Sequence, residues 1–197
     1  MPKAIRDTKT ELLDFAQDAV MSRGFDAFSY ADMADAVGIR KASIHYYFPT
    51  KATLSVALVD RYHERFQVKL EDFAQTSATG AEHLSKIIDE YRANINGGRT
   101  VCMCISFAVT KKSMTEEVME KIEEFRLTVR NALTDAFTTG QRDGTIASDN
   151  TAETEALFAL TLLEGAHLAA RFENDVAAFE RAVAPLRARL TASGGGD

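Results

Sequence analysis

Between Ser29 and Lys51 the chain gathers side chains suited to gripping a polyanion. Arg40 and Lys41 are cationic, and Ser43, His45, Tyr46 and Tyr47 carry hydrogen-bond donors. Ala42 is a small apolar group among them. Such donors bind phosphate oxygens, and Ser or Ala can read a base edge or a thymine methyl. At 100° per residue, Ile44 and Phe48 share one side of a short helix, and Ala42 and Tyr46 lie opposite with Ser43 and His45 flanking. Arg40 and Lys41 stand at its N-terminal end, the end that enters a major groove. The expected DNA contacts are Ser29, Tyr30, Arg40, Lys41, Ala42, Ser43, His45, Tyr46, Tyr47, Thr50 and Lys51. Lys51 is expected to reach a backbone phosphate from the start of the next helix.

A reading helix needs a second helix crossing it closely. Residues 29–37 supply one. Ser29 is placed to cap it through its hydroxyl. Met33 and Val37, four apart, form its inner face, and Ala34 is small where the helices approach. Gly38 follows, where a left-handed backbone costs glycine little. Pro49 stops the reading helix, and Thr50 is placed to cap the one that follows.

Residues from about Thr10 to Leu54 resemble the N-terminal domain of TetR-type transcriptional repressors. The resemblance rests on Leu12, Leu13, Ala16 and Ala19 in the first helix, the turn Arg23–Gly24–Phe25, the pair Met33–Ala34 and the run Val37–Gly38–Ile39. It continues through Tyr47–Phe48–Pro49–Thr50–Lys51–Ala52–Thr53–Leu54. His45 departs from it, at a position where the family often carries Tyr. The resemblance implies an all-α homodimer that represses transcription until a small-molecule effector binds its C-terminal domain. The expected architecture is a three-helix helix-turn-helix domain over residues 1–51 and a helical ligand-binding and dimerisation bundle over 52–197, its last residues disordered.

Composition agrees with an all-helical chain. Among 197 residues only three are Pro, and Ala, Leu, Glu and Arg are plentiful. No run of roughly 18 apolar residues suggests a membrane span, and the N-terminus lacks a signal-peptide core. A cytoplasmic protein is expected. The net charge of −6 looks wrong for a DNA binder until the chain is divided. Residues 1–51 carry seven basic and seven acidic side chains, so the whole excess of acid lies beyond them. Lys3, Arg6 and Lys9 form a basic arm, for which a frayed, solvated terminus is the plainer reading beside minor-groove insertion.

Helical spacing persists after Lys51. Leu54, Leu58, Tyr62, Phe66, Leu70 and Phe73 predict a helix to about Gln75, and further helices are expected near 81–95 and 101–111. Ser113 with Glu116 predicts a capping box for a helix ending near Thr139–Gly140. Residues 151–171 are apolar nearly all round, so that helix must be buried on more than one side. The last helix carries Val176, Phe179, Val183, Leu186 and Leu190 three and four apart, with Pro185 bending it. These two helices, which pack either within one chain or between two, look like the dimer-forming pair of the TetR family.

Candidate effector contacts are Phe66, Tyr91, Cys102, Met103, Phe107, Met119, Phe125, Phe158, Leu162 and His167, each of which also reads as ordinary core. His167 reads equally as a satisfied core histidine, and Glu164 and Arg171 as a helix-surface pair. Cys102 is expected in a first helical turn near Arg99, where a thiolate is favoured. That leaves a thiol-based redox or electrophile sensor as one alternative, with buried inert thiols as the other reading. An activator is a further alternative. No catalytic signature, cofactor motif or metal-ligand spacing is present, so the expectation is a regulator and not an enzyme.

Overall fold

The computed structural model describes residues 7–190. Lys3 and Arg6 of the basic arm and the expected disordered tail lie outside them. The elements in chain order are α1 (Thr8–Arg23), α2 (Tyr30–Val37), α3 (Lys41–Tyr47), α4 (Lys51–Thr76), α5 (Gly80–Ala93), α6 (Met103–Val109), α7 (Glu116–Asp143), α8 (Ala152–Glu173) and α9 (Val176–Arg187). The expected all-helical architecture is the observed one. Among the described residues β structure is limited to an isolated bridge between Ile146 and Leu190.

The described residues divide into two compact units, one of 7–62 with 103–122, the other of 63–102 with 123–190. Helices α4 and α7 each contribute to both. In the first unit α1 packs on α2 and on α6, and α2 packs on α3. Leu12, Ala16, Val20, Met33, Ile44, Leu54 and Leu58 are fully sequestered there, and Phe25 meets Phe107 with ring centroids 5.5 Å apart. Grouping α6 with this head differs from a boundary at residue 51. The aromatic seat that Phe25 offers Phe107 accounts for it.

In the second unit α8 packs along α9, and α5 packs on both. The N-terminus of α5 presses on α7 so closely that a Cβ on Gly80 would fall 2.0 Å from the nitrogen of Gly140. That contact explains why α7 runs on to Asp143 and does not end at Gly140. Glycine there permits backbone-to-backbone approach inside a helix, and the turn comes at Gly144 with φ 76°. The expected Ser113 capping box also fails. Ser113 lies in a 3-10 turn, where its hydroxyl donates to Asp26 across 3.2 Å, and Thr115 caps α7 through the Val118 N–H at 3.4 Å.

Candidate nucleic-acid interface

Ser29 and Asp32 start α2 with reciprocal hydrogen bonds. The Ser29 hydroxyl oxygen accepts from the N–H groups of Ala31 and Asp32 at 3.2 and 3.3 Å, and the Asp32 carboxylate accepts from the Ser29 N–H at 2.7 Å. The Ser29 hydroxyl and N–H hold the Asp32 carboxyl below its ordinary pKa. Gly38 ends α2 in the left-handed region at φ 72°, ψ 38°, and its N–H donates to Ala34. The turn so formed brings α3 across α2 with Ile44 and Phe48 inward, 0% and 2% exposed.

The opposite face of α3 is open. Arg40, Lys41, Ala42, Ser43 and His45 are exposed, and Tyr46 is 83% exposed with its ring edge-on to Tyr47. Two cations, a hydroxyl, a methyl and two phenols thus share one outward surface. His45 is steadied from below, because its Nδ1–H donates to the Pro49 carbonyl at 3.2 Å and its ring lies 5.0 Å from that of Tyr30. Thr50 exchanges hydrogen bonds with Thr53 at 3.1 Å in each direction and so caps α4. The expected contacts from Arg40 to Tyr47 therefore lie together on one face.

Two expected contacts are placed elsewhere. Tyr30 is 7% exposed, and its hydroxyl donates to the Phe48 carbonyl at 2.9 Å. Burial pushes its phenol up to about 12. It is a strut behind the surface. Lys51 is half-buried, and its ammonium donates to the Phe25 carbonyl at 3.2 Å while lying 4.7 Å from the Phe25 ring and 4.5 Å from the Phe28 ring. Burial lowers its pKa, against the pull of Asp26 and Asp32. Two ring faces and a carbonyl draw this cation inward.

The expected effector residues divide between the units. Met103, Phe107 and Met119 belong to the first. In the second, Phe66, Tyr91, Phe125 and His167 fall in one edge-to-face row that runs His63, Phe125, Phe66, Tyr91, His167, Phe179, with neighbouring centroids 5.3–5.8 Å apart. His167 is a satisfied core histidine. Its Nδ1 accepts the Cys102 N–H at 3.0 Å, and its Nε2–H donates to the Tyr91 carbonyl at 2.9 Å. One neutral tautomer makes both bonds, and burial holds its pKa down at about 4. Glu164 is paired with Arg126 at 3.1 Å, not with Arg171, and burial raises its pKa.

Cys102 precedes α6 and so does not sit in its first turn, and Arg99 is turned onto Asn96 at 3.0 Å. Cys102 and Cys104 are 2% and 3% exposed, which gives a dissolved electrophile no direct approach. Leu162 is half-buried, while Phe158 is 54% exposed on the outer face of α8 and lines no interior. Leu157, Leu168 and Phe172 share that exposure, at 55%, 49% and 92%. Leu168 and Phe172 carry no motif of their own. Their spacing from Leu157 and Phe158 along one helix was the available signal.

Among the described residues no three His, Cys, Asp or Glu side chains assemble as a metal cluster, and no helix is long and apolar enough to cross a membrane.

Comparison with known proteins gives concordant matches. Residues 12–58 match the bacterial regulatory proteins, tetR family, and residues 80–186 match the tetracyclin repressor-like C-terminal domain. The HTH-type transcriptional repressor NemR of Escherichia coli is 21% identical over 188 residues, covering 92% of each chain. A TetR-family regulator from Agrobacterium tumefaciens superposes with a TM-score of 0.88 at 27% identity, over 94% of this chain and 98% of that one. A TetR regulator from Legionella pneumophila gives 0.84 at 25%, over 96% and 100%. With a helix-turn-helix presenting an open polar face at one end of the sequence and a helical C-terminal domain matched over residues 80–186, this chain belongs to the TetR family of DNA-binding bacterial regulators.

Proposed function

We propose that the protein is a cytoplasmic homodimeric repressor that holds a palindromic operator and releases it when a small-molecule effector enters the C-terminal domain. The observation that carries this reading is the outward face of α3, where Arg40, Lys41, Ala42, Ser43, Tyr46 and Tyr47 are open while Ile44 and Phe48 are anchored. Residues 1–51 are taken as the DNA-binding domain and 52–197 as the ligand-binding and dimerisation domain, and no catalysis is assigned.

The dimer is supported by α8. Leu157, Phe158, Leu168 and Phe172 leave a row of large apolar side chains facing outward beside α9. A two-fold axis along α8 and α9 pairs this row with itself, as an isologous interface requires. A dimer carries two α3 helices, which suits two half-sites separated by about one or more turns of DNA, ~34 Å each. An effector that favours one arrangement of the second unit shifts the spacing of the heads, with α4 carrying the change. The name of the E. coli relative, a transcriptional repressor, agrees with the sign of the effect.

The test is binding of the purified protein to the intergenic DNA beside its own gene, with a salt titration and a sizing measurement. A two-fold footprint on an inverted repeat, steep loss of affinity with salt and a dimer are expected. A monomer with salt-independent binding overturns the reading.

A further inference from the structure

The second unit holds a cleft of about 240 Å³ between α4, the start of α5 and α7. Its walls differ from the aromatic row. Leu70, Ala74 and Ala132 make an apolar floor, and Gln67, Glu71, His83, Thr128, Asn131 and Asp135 bring polar groups to it. The two charged residues in its lining, Glu71 and Asp135, are both acidic.

Hydrogen bonding inside the cleft commits the Thr128 hydroxyl and a Gln67 N–H and leaves His83 unpaired. The Thr128 hydroxyl donates to the Glu124 carbonyl at 3.0 Å and accepts the His63 Nε2–H at 2.8 Å, so its proton is spent. The Gln67 amide donates to Glu71 at 2.8 Å. His83 is 6% exposed, and its Nε2 is buried with no hydrogen-bond partner. Leaving a buried polar atom unpaired costs free energy, and it needs a reason. Burial lowers the His83 pKa, which keeps the imidazole neutral and one of its nitrogens an acceptor, although Asp135 pulls the other way. The charge of Lys86 also lowers the His83 pKa, but its ammonium is taken by Thr76 and Glu82.

We propose that this cleft is the effector site of the second unit and takes a small primary or secondary amine, with its ammonium between the Asp135 carboxylate and Nε2 of His83. The ammonium supplies the N–H donors that His83 and Asp135 lack, and the apolar body of the ligand lies over Leu70, Ala74 and Ala132. The volume is below the roughly 300–1,000 Å³ of drug-sized pockets, so the ligand is small. The inference rests on the effector-released reading above and names the chemistry of its ligand.

The probes are benzylamine, phenethylamine and cyclohexylamine, with benzyl alcohol and benzoate as shape-matched neutral and anionic controls. Calorimetry on the full-length protein is expected to show binding of the amines and none of the controls. Asp135→Asn, a change at an exposed site, and His83→Phe, which removes the acceptor, are each expected to weaken benzylamine binding about tenfold or more. Neither should alter operator binding without amine. Failure of all three amines to bind, equal binding of benzoate, or amine affinity unchanged in Asp135→Asn overturns the inference. Operator binding by the ligand-free protein is measured separately. If DNA binds and no amine does, the inference alone falls. If amines bind through Asp135 and operator affinity does not change, the site stands and release by this effector falls, because coupling between two ligands must be reciprocal.

Discussion

The hydroxyl of Tyr30 donates to the carbonyl of Phe48 across 2.9 Å and so joins the first residue of α2 to the residue that ends α3. The pitch of the reading helix depends on this buried bond. Tyr30→Phe leaves the carbonyl without its donor and is expected to cost about 1–2 kcal/mol in denaturant unfolding. Operator affinity should fall with no change in salt dependence, because no phosphate contact is removed. A reduced salt slope would show instead that Tyr30 touches DNA.

Lys41 and Lys51 are predicted to behave oppositely. Lys41 is exposed on the open face of α3, so Lys41→Ala should lower the salt slope of operator binding by about one. Lys51 serves the Phe25 carbonyl and two rings, so Lys51→Met should lower thermal stability and leave the slope intact. Equal slopes for both variants would return Lys51 to the interface.

His167 gives the fold an acid-sensitive point. Its ordinary pKa is 6.5 and its folded value is about 4, so the unfolded chain takes up the proton first as pH falls. The stability it contributes is complete above pH 6.5 and is lost between 6.5 and 4, by roughly 3 kcal/mol in all. Urea midpoints measured from pH 7.5 to 4.5 should decline through this window, and His167→Gln should flatten that part of the curve. Glu155, held down at about 2 chiefly by Arg189, acts only at lower pH.

Gly80 and Gly140 should tolerate alanine unequally. A Cβ at Gly80 meets backbone, whereas one at Gly140 meets a single side chain, Ile146, at 2.4 Å for Cδ1 and Cγ1 and 2.9 Å for Cβ, so that residue must shift. Gly80→Ala is expected to cost about 2 kcal/mol or more and Gly140→Ala less, in thermal or chemical melts. The reverse order would mean that α5 can retreat from α7 more easily than Ile146 can move.

Phe172→Glu, placed in the outward row of α8, is expected to yield a folded monomer with weakened operator binding in sedimentation and footprinting. A dimer that survives this change together with Leu168→Glu would put the interface elsewhere.

The reading head was largely legible because its signals are local. A cap at Ser29, a glycine at 38 and the Ile44–Phe48 spacing each specify a backbone state within a few residues. Tyr30 and Lys51 were misplaced because a long amphipathic side chain can turn either way, and the Phe25 and Phe28 rings that attract Lys51 lie more than twenty residues back. Phe158 was misplaced for another reason. On a helix apolar nearly all round, periodicity does not say which side meets its own chain. Ser113 lost its capping role to Thr115 because a 3-10 turn intervened, a choice between turns two residues apart. His83 carries no motif. Its orphaned nitrogen emerges only when α4, α5 and α7 are assembled around it.

The exposed Tyr46–Tyr47 pair also makes the protein its own optical reporter. The chain has no tryptophan and five tyrosines, of which Tyr30, Tyr62 and Tyr91 are buried. Ultraviolet emission therefore comes from two populations, a solvent-facing pair on the α3 surface and three sheltered rings. Nucleobases docked on α3 would quench the first population and leave the second, while a change around Tyr91 would shift near-ultraviolet circular dichroism and leave the first. DNA engagement and rearrangement of the ring row could then be followed in one cuvette, without a label.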